Sequence, residues 1–230
     1  MTLIISIQGN IGSGKSSFLN KLQELYSSNN NLFNNKKVCF LQEPVNEWES
    51  LKDENNKSLL ELYYLDQNTY SFAFQIMAFM SRVKQLKAAL ANNYDLIISE
   101  RSLKADHEVF TKMLYDEKKI KDIEYKIYLK WVEEFLTNIP QEYVVYIQTT
   151  PEIAYERIIS RDRKGEKISI NYIKDCHNYH EKWINNLPLF CLLDGNNNIN
   201  KVFNKWVNKI DKYIDFILTK KVKNNSIYLN

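Results

Sequence analysis

LIISIQGNIGSGKSS, residues 3–17, joins a short apolar run to a glycine loop and then to a helical pattern. The loop GNIGSGKSS (Gly9, Asn10, Ile11, Gly12, Ser13, Gly14, Lys15, Ser16, Ser17) fits G-x-x-x-x-G-K-[ST]. Glycines let the backbone turn its N–H groups onto phosphate oxygens. Lys15 is expected at the terminal phosphates, Ser16 at Mg²⁺, and the following helix adds its positive N-terminal end. An ordinary glycine turn is the bland alternative, but the strand–loop–helix setting is the one a phosphate loop requires. The stretch therefore predicts a nucleoside triphosphate site.

Outward from this loop, three further apolar runs read as buried strands: KVCFLQ (37–42), DLIISE (95–100) and YVVYIQ (143–148). LFCLL (189–193) is a weaker fifth. Helical patterns fill the intervals, and such alternation predicts an α/β chain with a parallel five-stranded sheet covered on both faces. One domain is expected over residues 1–230, with an exposed Asn-rich loop at 27–37 and a frayed polar tail from about 219. Hydrophobic residues make up 44% and charged residues 26%, enough for a sizeable core. A net charge of +3 is too mild to argue for nucleic acid or an anionic membrane as partner. Three scattered cysteines and a start that runs straight into a strand predict a reduced, cytoplasmic setting without a secretory signal.

Two motifs mimic a GTPase. DRKG (162–165) matches D-x-x-G and NKID (208–211) matches N-K-x-D. DRKG follows the helical run PEIAYERIIS and NKID lies inside a helical pattern, whereas a GTPase needs both at strand ends, so they read as accidents of composition. CHNYH (176–180) has a faint metal look, but a single helical cluster without a second pair makes zinc a poor reading. Helix residues near a subunit face explain it more simply.

Polar residues misplaced in apolar stripes mark a second site. Over 69–90, Phe72, Ile76, Phe79, Val83, Leu86 and Leu90 share one helical face, and Gln75 and Arg82 are expected to project from its middle. After ERS, the stripe Leu103, Asp106, Phe110, Met113 and Leu114 contains a carboxylate. Buried polar groups must be paired, so an Arg82–Asp106 ion pair is one account. A pocket for a flat heteroaromatic group is the other: Phe74 and Phe110 stacking on it, with Gln75, Arg82 and Asp106 at its edge. The two are compatible.

GNIGSGKSS, EPVNEW (43–48), FQ (74–75), ERS (100–102) and TTPEIAYERIISRDRKGE (149–166) together resemble the deoxyribonucleoside kinase family, in its order and at close to its spacing. The resemblance implies a P-loop kinase fold with an Arg-rich lid at about 157–168. It also implies a homodimer, and transfer of the γ-phosphate of ATP, with Mg²⁺, to a deoxynucleoside 5′-hydroxyl. By resemblance Glu43 is the general base, Arg101 contacts it and the reacting oxygen, and Glu100 holds Mg²⁺ with Ser16. Trp48 lines the sugar and base pocket, and Tyr64 (or adjacent Tyr63) and Glu166 bind the 3′-hydroxyl. Arg157, Arg161 and Arg163 close on the phosphoryl group. The Arg82 and Asp106 positions match the deoxycytidine and deoxyguanosine kinase branch. Hydrogen-bond logic agrees, because Asp106 can accept from an exocyclic amine but would oppose the C4 carbonyl of thymine. Purine deoxynucleosides or deoxycytidine are thus expected over thymidine, in nucleotide salvage. A thymidylate-kinase-like enzyme would need basic residues near Glu43 that EPVNEWESL lacks. The other rival is a non-catalytic ATP-sensing module.

Overall fold

Every apolar run forms the strand its composition favours. In chain order the elements are β1 (Leu3–Gln8), α1 (Lys15–Ser28), β2 (Val38–Leu41), α2 (Val45–Ser50), α3 (Leu59–Leu65), α4 (Gln67–Ala91) and β3 (Leu96–Glu100). Next come α5 (Leu103–Ala105), a π-helical segment (Asp106–Thr111), α6 (Lys112–Asp116), α7 (Asp122–Leu136) and β4 (Glu142–Gln148). The last are α8 (Pro151–Arg161), α9 (Ile170–Asn185), β5 (Phe190–Asp194) and α10 (Ile199–Ile227). The computed structural model describes residues 2–29, 32–137, 139–163 and 165–227, with side chains to Lys220. The tail expected to fray therefore lies almost wholly outside the described side chains.

All strand pairs are parallel, in the order β2-β3-β1-β4-β5. Continuous β-branched and aliphatic runs suit strands buried on both faces. On one face α1 and α10 pack with the sheet around Ile5, Ile7, Phe18, Leu22, Ile98, Trp206 and Ile210. The NKID match is the interior of α10, as its apolar period implied. On the other face, α3, the π-helical segment and α9 enclose Tyr63, Phe110, Met113, Ile173 and Cys176. Register decides what meets at the carboxyl edge. Ile7 pairs with Glu100 and Leu41 with Ser99. The phosphate loop after β1, Glu43 after β2, and Glu100–Arg101 at the end of β3 therefore converge beside the point where strand order reverses, the crevice in which such sheets bind ligands.

Three sequence expectations need correction. Gln75 and Arg82 are not in the middle of the Phe72–Leu90 stripe. That stripe packs against Tyr128, Val132 and Phe135 of α7, while Phe74, Gln75, Ala78 and Arg82 form an adjacent face toward the crevice. α4 thus buries two faces, which a single-stripe reading merges. The 27–37 segment is not simply an exposed loop, since Phe33 is buried in the α1/α10 core; Asn30 and Asn31 lie outside the described residues. Cys176 and His180 are not on a subunit face. Both are fully buried, with Cys176 Sγ 3.8 Å from Met113 Sδ and His180 stacked on Tyr146. Amphipathic α9 turns them inward.

Candidate active site

The phosphate loop is held by its own chain. Gly12 (φ 78) and Gly14 (φ 94) occupy the left-handed region. A Cβ on Gly12 would lie 2.2 Å from the Ala154 carbonyl oxygen, so α8 leaves room for hydrogen alone. Asn10 Nδ2 donates to the Ile173 carbonyl at 2.8 Å, which ties the loop to α9. No side chain caps the N-terminus of α1 and no acidic residue sits in its first turn, so the positive end of the helix is left for an anion. Lys15 is buried, and Nζ donates to the Asn10 carbonyl at 2.8 Å. Burial, and then the Arg101 charge, push its pKa down to about 7 against the pull of Glu100 and Glu43.

Glu43 is gripped from two elements. Arg82 Nη2 donates to its Oε1 at 2.5 Å and Arg101 Nε donates to the same oxygen at 3.1 Å. Burial alone would raise this carboxyl, but Arg82, Arg101 and Lys15 bring it to about 2. The Glu43 carboxylate is therefore ionised at every physiological pH. Arg101 adopts φ 62, a left-handed conformation that costs a non-glycine residue roughly 1–2 kcal/mol. Its N–H to the Ile7 carbonyl (3.0 Å), Nη1 to the Gly9 carbonyl (3.0 Å) and grip on Glu43 hold it there. Strain of this kind persists where the surroundings over-determine it.

Arg82 is a hub rather than a free base reader. Beyond Glu43, its Nε donates to Asp106 Oδ1 at 3.2 Å and its Nη1 to the Glu100 carbonyl at 2.9 Å. Asp106 Oδ2 lies 2.9 Å from the same Nε but has no aligned donor among the described residues. Burial raises the Asp106 carboxyl to about 6, despite Arg82. Gln75 Oε1 accepts from Thr111 Oγ1 at 3.2 Å. The aromatic walls are partly pre-stacked. Tyr63 covers Phe74 at 4.4 Å, Trp48 meets Phe74 edge-on at 5.3 Å, and the Arg101 guanidinium sits 4.6 Å from the Phe110 ring centre. Trp48 is anchored by its Nε1–H to Ser81 Oγ at 2.9 Å.

Lys15, Glu43, Trp48, Tyr63, Phe74, Gln75, Arg82, Glu100, Arg101, Asp106 and Phe110 line one cleft of about 1010 Å³, together with Ile11, Gly12, Gly14, Ser16, Ser17, Tyr64, Arg157, Arg161, Arg163 and Glu166. Of the expected site residues, Gly9, Asn10 and Ser13 do not line it and are buried. Tyr63 and Tyr64 both reach the cleft, but the Tyr63 hydroxyl is bonded to that of Tyr172 at 2.7 Å. The arginines of α8 and its exit differ in what they hold. Arg157 donates to the carbonyls of Gly195 (2.9 Å) and Asn197 (3.2 Å) after β5, and Arg161 pairs with Glu166 at 2.5 Å. Arg163 has no ion pair among the described residues; Lys164 lies outside them. Ser16 Oγ and Glu100 Oε1 meet at 2.7 Å. Two hard oxygens at the phosphate loop fit Mg²⁺, which takes one or two protein ligands and fills its shell with phosphate and water.

Sequence reasoning missed Tyr172, Ser81 and Thr111. None belongs to a motif, and each matters through a partner distant in the chain. Arg82's contact with Glu43 was equally hidden, because it spans 39 residues.

The sequence profile of the deoxynucleoside kinase family matches residues 5–215. The chain is 36% identical over 184 residues to the probable deoxycytidine kinase of fowlpox virus, covering 78% of this chain and 71% of that one. It is 30% identical to human deoxycytidine kinase (78% and 74% covered) and 29% identical to the mitochondrial deoxyguanosine kinase of Xenopus laevis (78% and 72%). With its parallel sheet, phosphate loop and charged cleft, the chain belongs to the deoxynucleoside kinase family. It is a phosphotransferase, and family membership implies ATP as the phosphate donor.

Proposed function

We propose that the protein transfers the γ-phosphoryl group of ATP to the 5′-hydroxyl of a deoxyribonucleoside whose base carries an exocyclic amine. That means a purine deoxynucleoside or deoxycytidine rather than thymidine, in nucleotide salvage. The observation that carries the base preference is Asp106, a buried carboxylate in the cleft whose Oδ2 has no aligned donor among the described residues. An amine fills that vacancy, whereas the C4 carbonyl of thymine would oppose it and leave two buried acceptors unpaired, a cost of about 1–3 kcal/mol.

In this mechanism the Glu43 carboxylate accepts the hydrogen bond of the 5′-hydroxyl and holds that oxygen in line. A carboxylate with a pKa of about 2 is a weak base. The proton passes to it only as the O–P bond forms and the hydroxyl becomes acidic. Arg101 keeps Glu43 in place and faces the developing charge. Lys15 and the amides of the loop hold the phosphates, and Arg163, with Arg161 once released from Glu166, would serve the phosphoryl oxygens. Tyr64 and Glu166 are suited to the 3′-hydroxyl. Ser16 and Glu100 would hold Mg²⁺, which supplies charge neutralisation to the phosphates.

A monophosphate acceptor is disfavoured because the arginines beside Glu43 are already neutralised. Arg82 bonds to Glu43 and Asp106 and Arg101 bonds to Glu43, so neither of these two arginines is free for an acceptor phosphate. A homodimer is supported by an apolar stripe on α7. Ile123, Ile127 and Trp131 are exposed (63%, 41% and 49%) at four-residue spacing, and Met80 of α4 is exposed as well. Sedimentation of wild type and Trp131→Lys tests this, and a monomer in both would refute it. Among the described residues no helix is long and apolar enough to cross a membrane. The three free thiols support a cytoplasmic location, which cell fractionation would check.

The deciding experiment is ADP release from Mg·ATP with dA, dG, dC and dT offered separately, and dCMP and dTMP as controls. Turnover on amino-bearing deoxynucleosides with dT poor is expected. Turnover on a monophosphate alone would refute the acceptor assignment, and silence on all six would leave an ATP-sensing module.

A further inference from the structure

Thr111 is fully buried and lies in the π-helical segment rather than in an α-helix. The distinction governs what it can touch. At 3.6 residues per turn, positions 106 and 111 would point about 140° apart. In a π-helix, residues five apart follow one another around a full turn and share a side. Asp106 and Thr111 therefore both face α4, where Gln75 and Arg82, seven apart, also share a side. Two pairs result: Arg82 with Asp106, and Gln75 with Thr111.

We propose that Thr111 is a positioning residue for base recognition, its hydroxyl proton held by Gln75 Oε1 so that the Gln75 Nε2 amino group faces the base. The inference rests on reading the cleft as a nucleoside pocket. The two ends of a carboxamide have nearly the same shape, so only their partners decide which way they point. For Gln75, 2% exposed, that partner is the Thr111 hydroxyl at 3.2 Å. A threonine hydroxyl can donate or accept, and Tyr128 favours the first. Among the described residues the Tyr128 hydroxyl is buried without a hydrogen bond, Thr111 is a side chain that acts on it as a hydrogen-bonding neighbour, and burial keeps it protonated by raising its pKa. A phenol seeking an acceptor at Thr111 Oγ1 leaves the threonine proton for Gln75.

The consequence is a two-part code. Asp106 accepts a hydrogen bond and Gln75 donates one, so the pocket selects an exocyclic amine beside a ring acceptor. Cytosine and adenine present that pair; thymine presents a carbonyl and a ring N–H. With Thr111 unable to donate, the Gln75 amide rotates freely and the ring acceptor loses its dedicated partner.

The test uses the full chain, with Thr111→Val, Thr111→Ser and, should valine prevent folding, Thr111→Ala. The readout is kcat/KM for 2′-deoxycytidine against its 3-deaza analogue and for 2′-deoxyadenosine against its 1-deaza analogue, each with Mg·ATP. Wild type should prefer the parent nucleoside that it accepts. Thr111→Val or Thr111→Ala should cut that preference about five- to tenfold, the worth of one oriented hydrogen bond, and Thr111→Ser should keep it. A merely structural threonine would lower parent and deaza substrate together. An unchanged ratio in the valine and alanine variants, or equal loss in the serine variant, would overturn the proposal. No turnover of any deoxynucleoside by wild type would overturn the functional reading beneath it.

Discussion

Replacing Arg82 with methionine removes one cation from two buried carboxylates, and the consequences depend on pH. Asp106 is 2% exposed and already sits at about 6 with Arg82 beside it. A displacement of about two units above the ordinary carboxyl corresponds to about 3 kcal/mol of strain on the ionised form. Without Arg82 the carboxyl moves higher still. Glu43 keeps Arg101 and Lys15 and stays ionised. Breaking a buried pair costs about 3–5 kcal/mol when the charge left behind cannot be neutralised. Here a proton can neutralise it. A carboxyl whose folded pKa exceeds its unfolded value stabilises the fold at low pH and loses that contribution as pH rises through the folded pKa. In the wild type this loss is complete just above pH 6. In Arg82→Met it continues upward, at up to about 1.4 kcal/mol per pH unit. The variant should therefore nearly match the wild type at pH 5 and fall by up to roughly 3 kcal/mol below it at pH 8, two pH units at about 1.4 kcal/mol each, a melting shift of roughly 5–10 °C for a chain of this size. Adding Asp106→Ala should restore much of the loss and move the base preference toward thymidine. Thermal melts at pH 5, 6.5 and 8, with dT and dC turnover, provide the measurement. A pH-independent deficit, or a double variant no more stable than the single one, would refute the buried-pair reasoning.

Glu43→Gln should fold and bind ATP yet lose about 10²–10⁴ in turnover, and unchanged turnover in the ADP assay would remove Glu43 from the mechanism. Lys15, held at about 7 by burial and Arg101, gains a proton when a triphosphate binds beside it. ATP affinity should thus weaken between pH 7.5 and 9, by up to about tenfold per unit; a flat binding isotherm series over that range would contradict the assignment. Gly12→Ala must fit a Cβ 2.2 Å from the Ala154 carbonyl at φ 78. It should lower stability by more than about 2 kcal/mol and abolish ATP binding, and a crystal structure of the variant with an unshifted α8 would argue otherwise.

Much of the fold was legible because its signals are local. A strand buried on both faces needs a continuous apolar run, and a phosphate loop needs its glycines, lysine and serine within eight positions. LIISI, VCFL, LIISE and GNIGSGKSS carried the sheet and the nucleotide site without reference to anything distant. Gln75, Arg82 and Asp106 also stood out, as polar residues among apolar stripes, and Glu43 stood out through its motif. What they touch was not legible. Arg82 reaches Glu43, Asp106 and the Glu100 carbonyl only because strand register and the crossing of α4 over the sheet bring four separated segments together. The sequence pattern placed Arg82 at a base edge; packing made it the link between Asp106 and Glu43. Thr111 was invisible for a further reason. Periodicity arguments assume 3.6 residues per turn, and the π-helical segment that departs from it is the one that turns Thr111 toward Gln75. Residue types and their local spacing determined which chemistry the chain can hold, while long-range packing and one irregular turn decided which atoms meet.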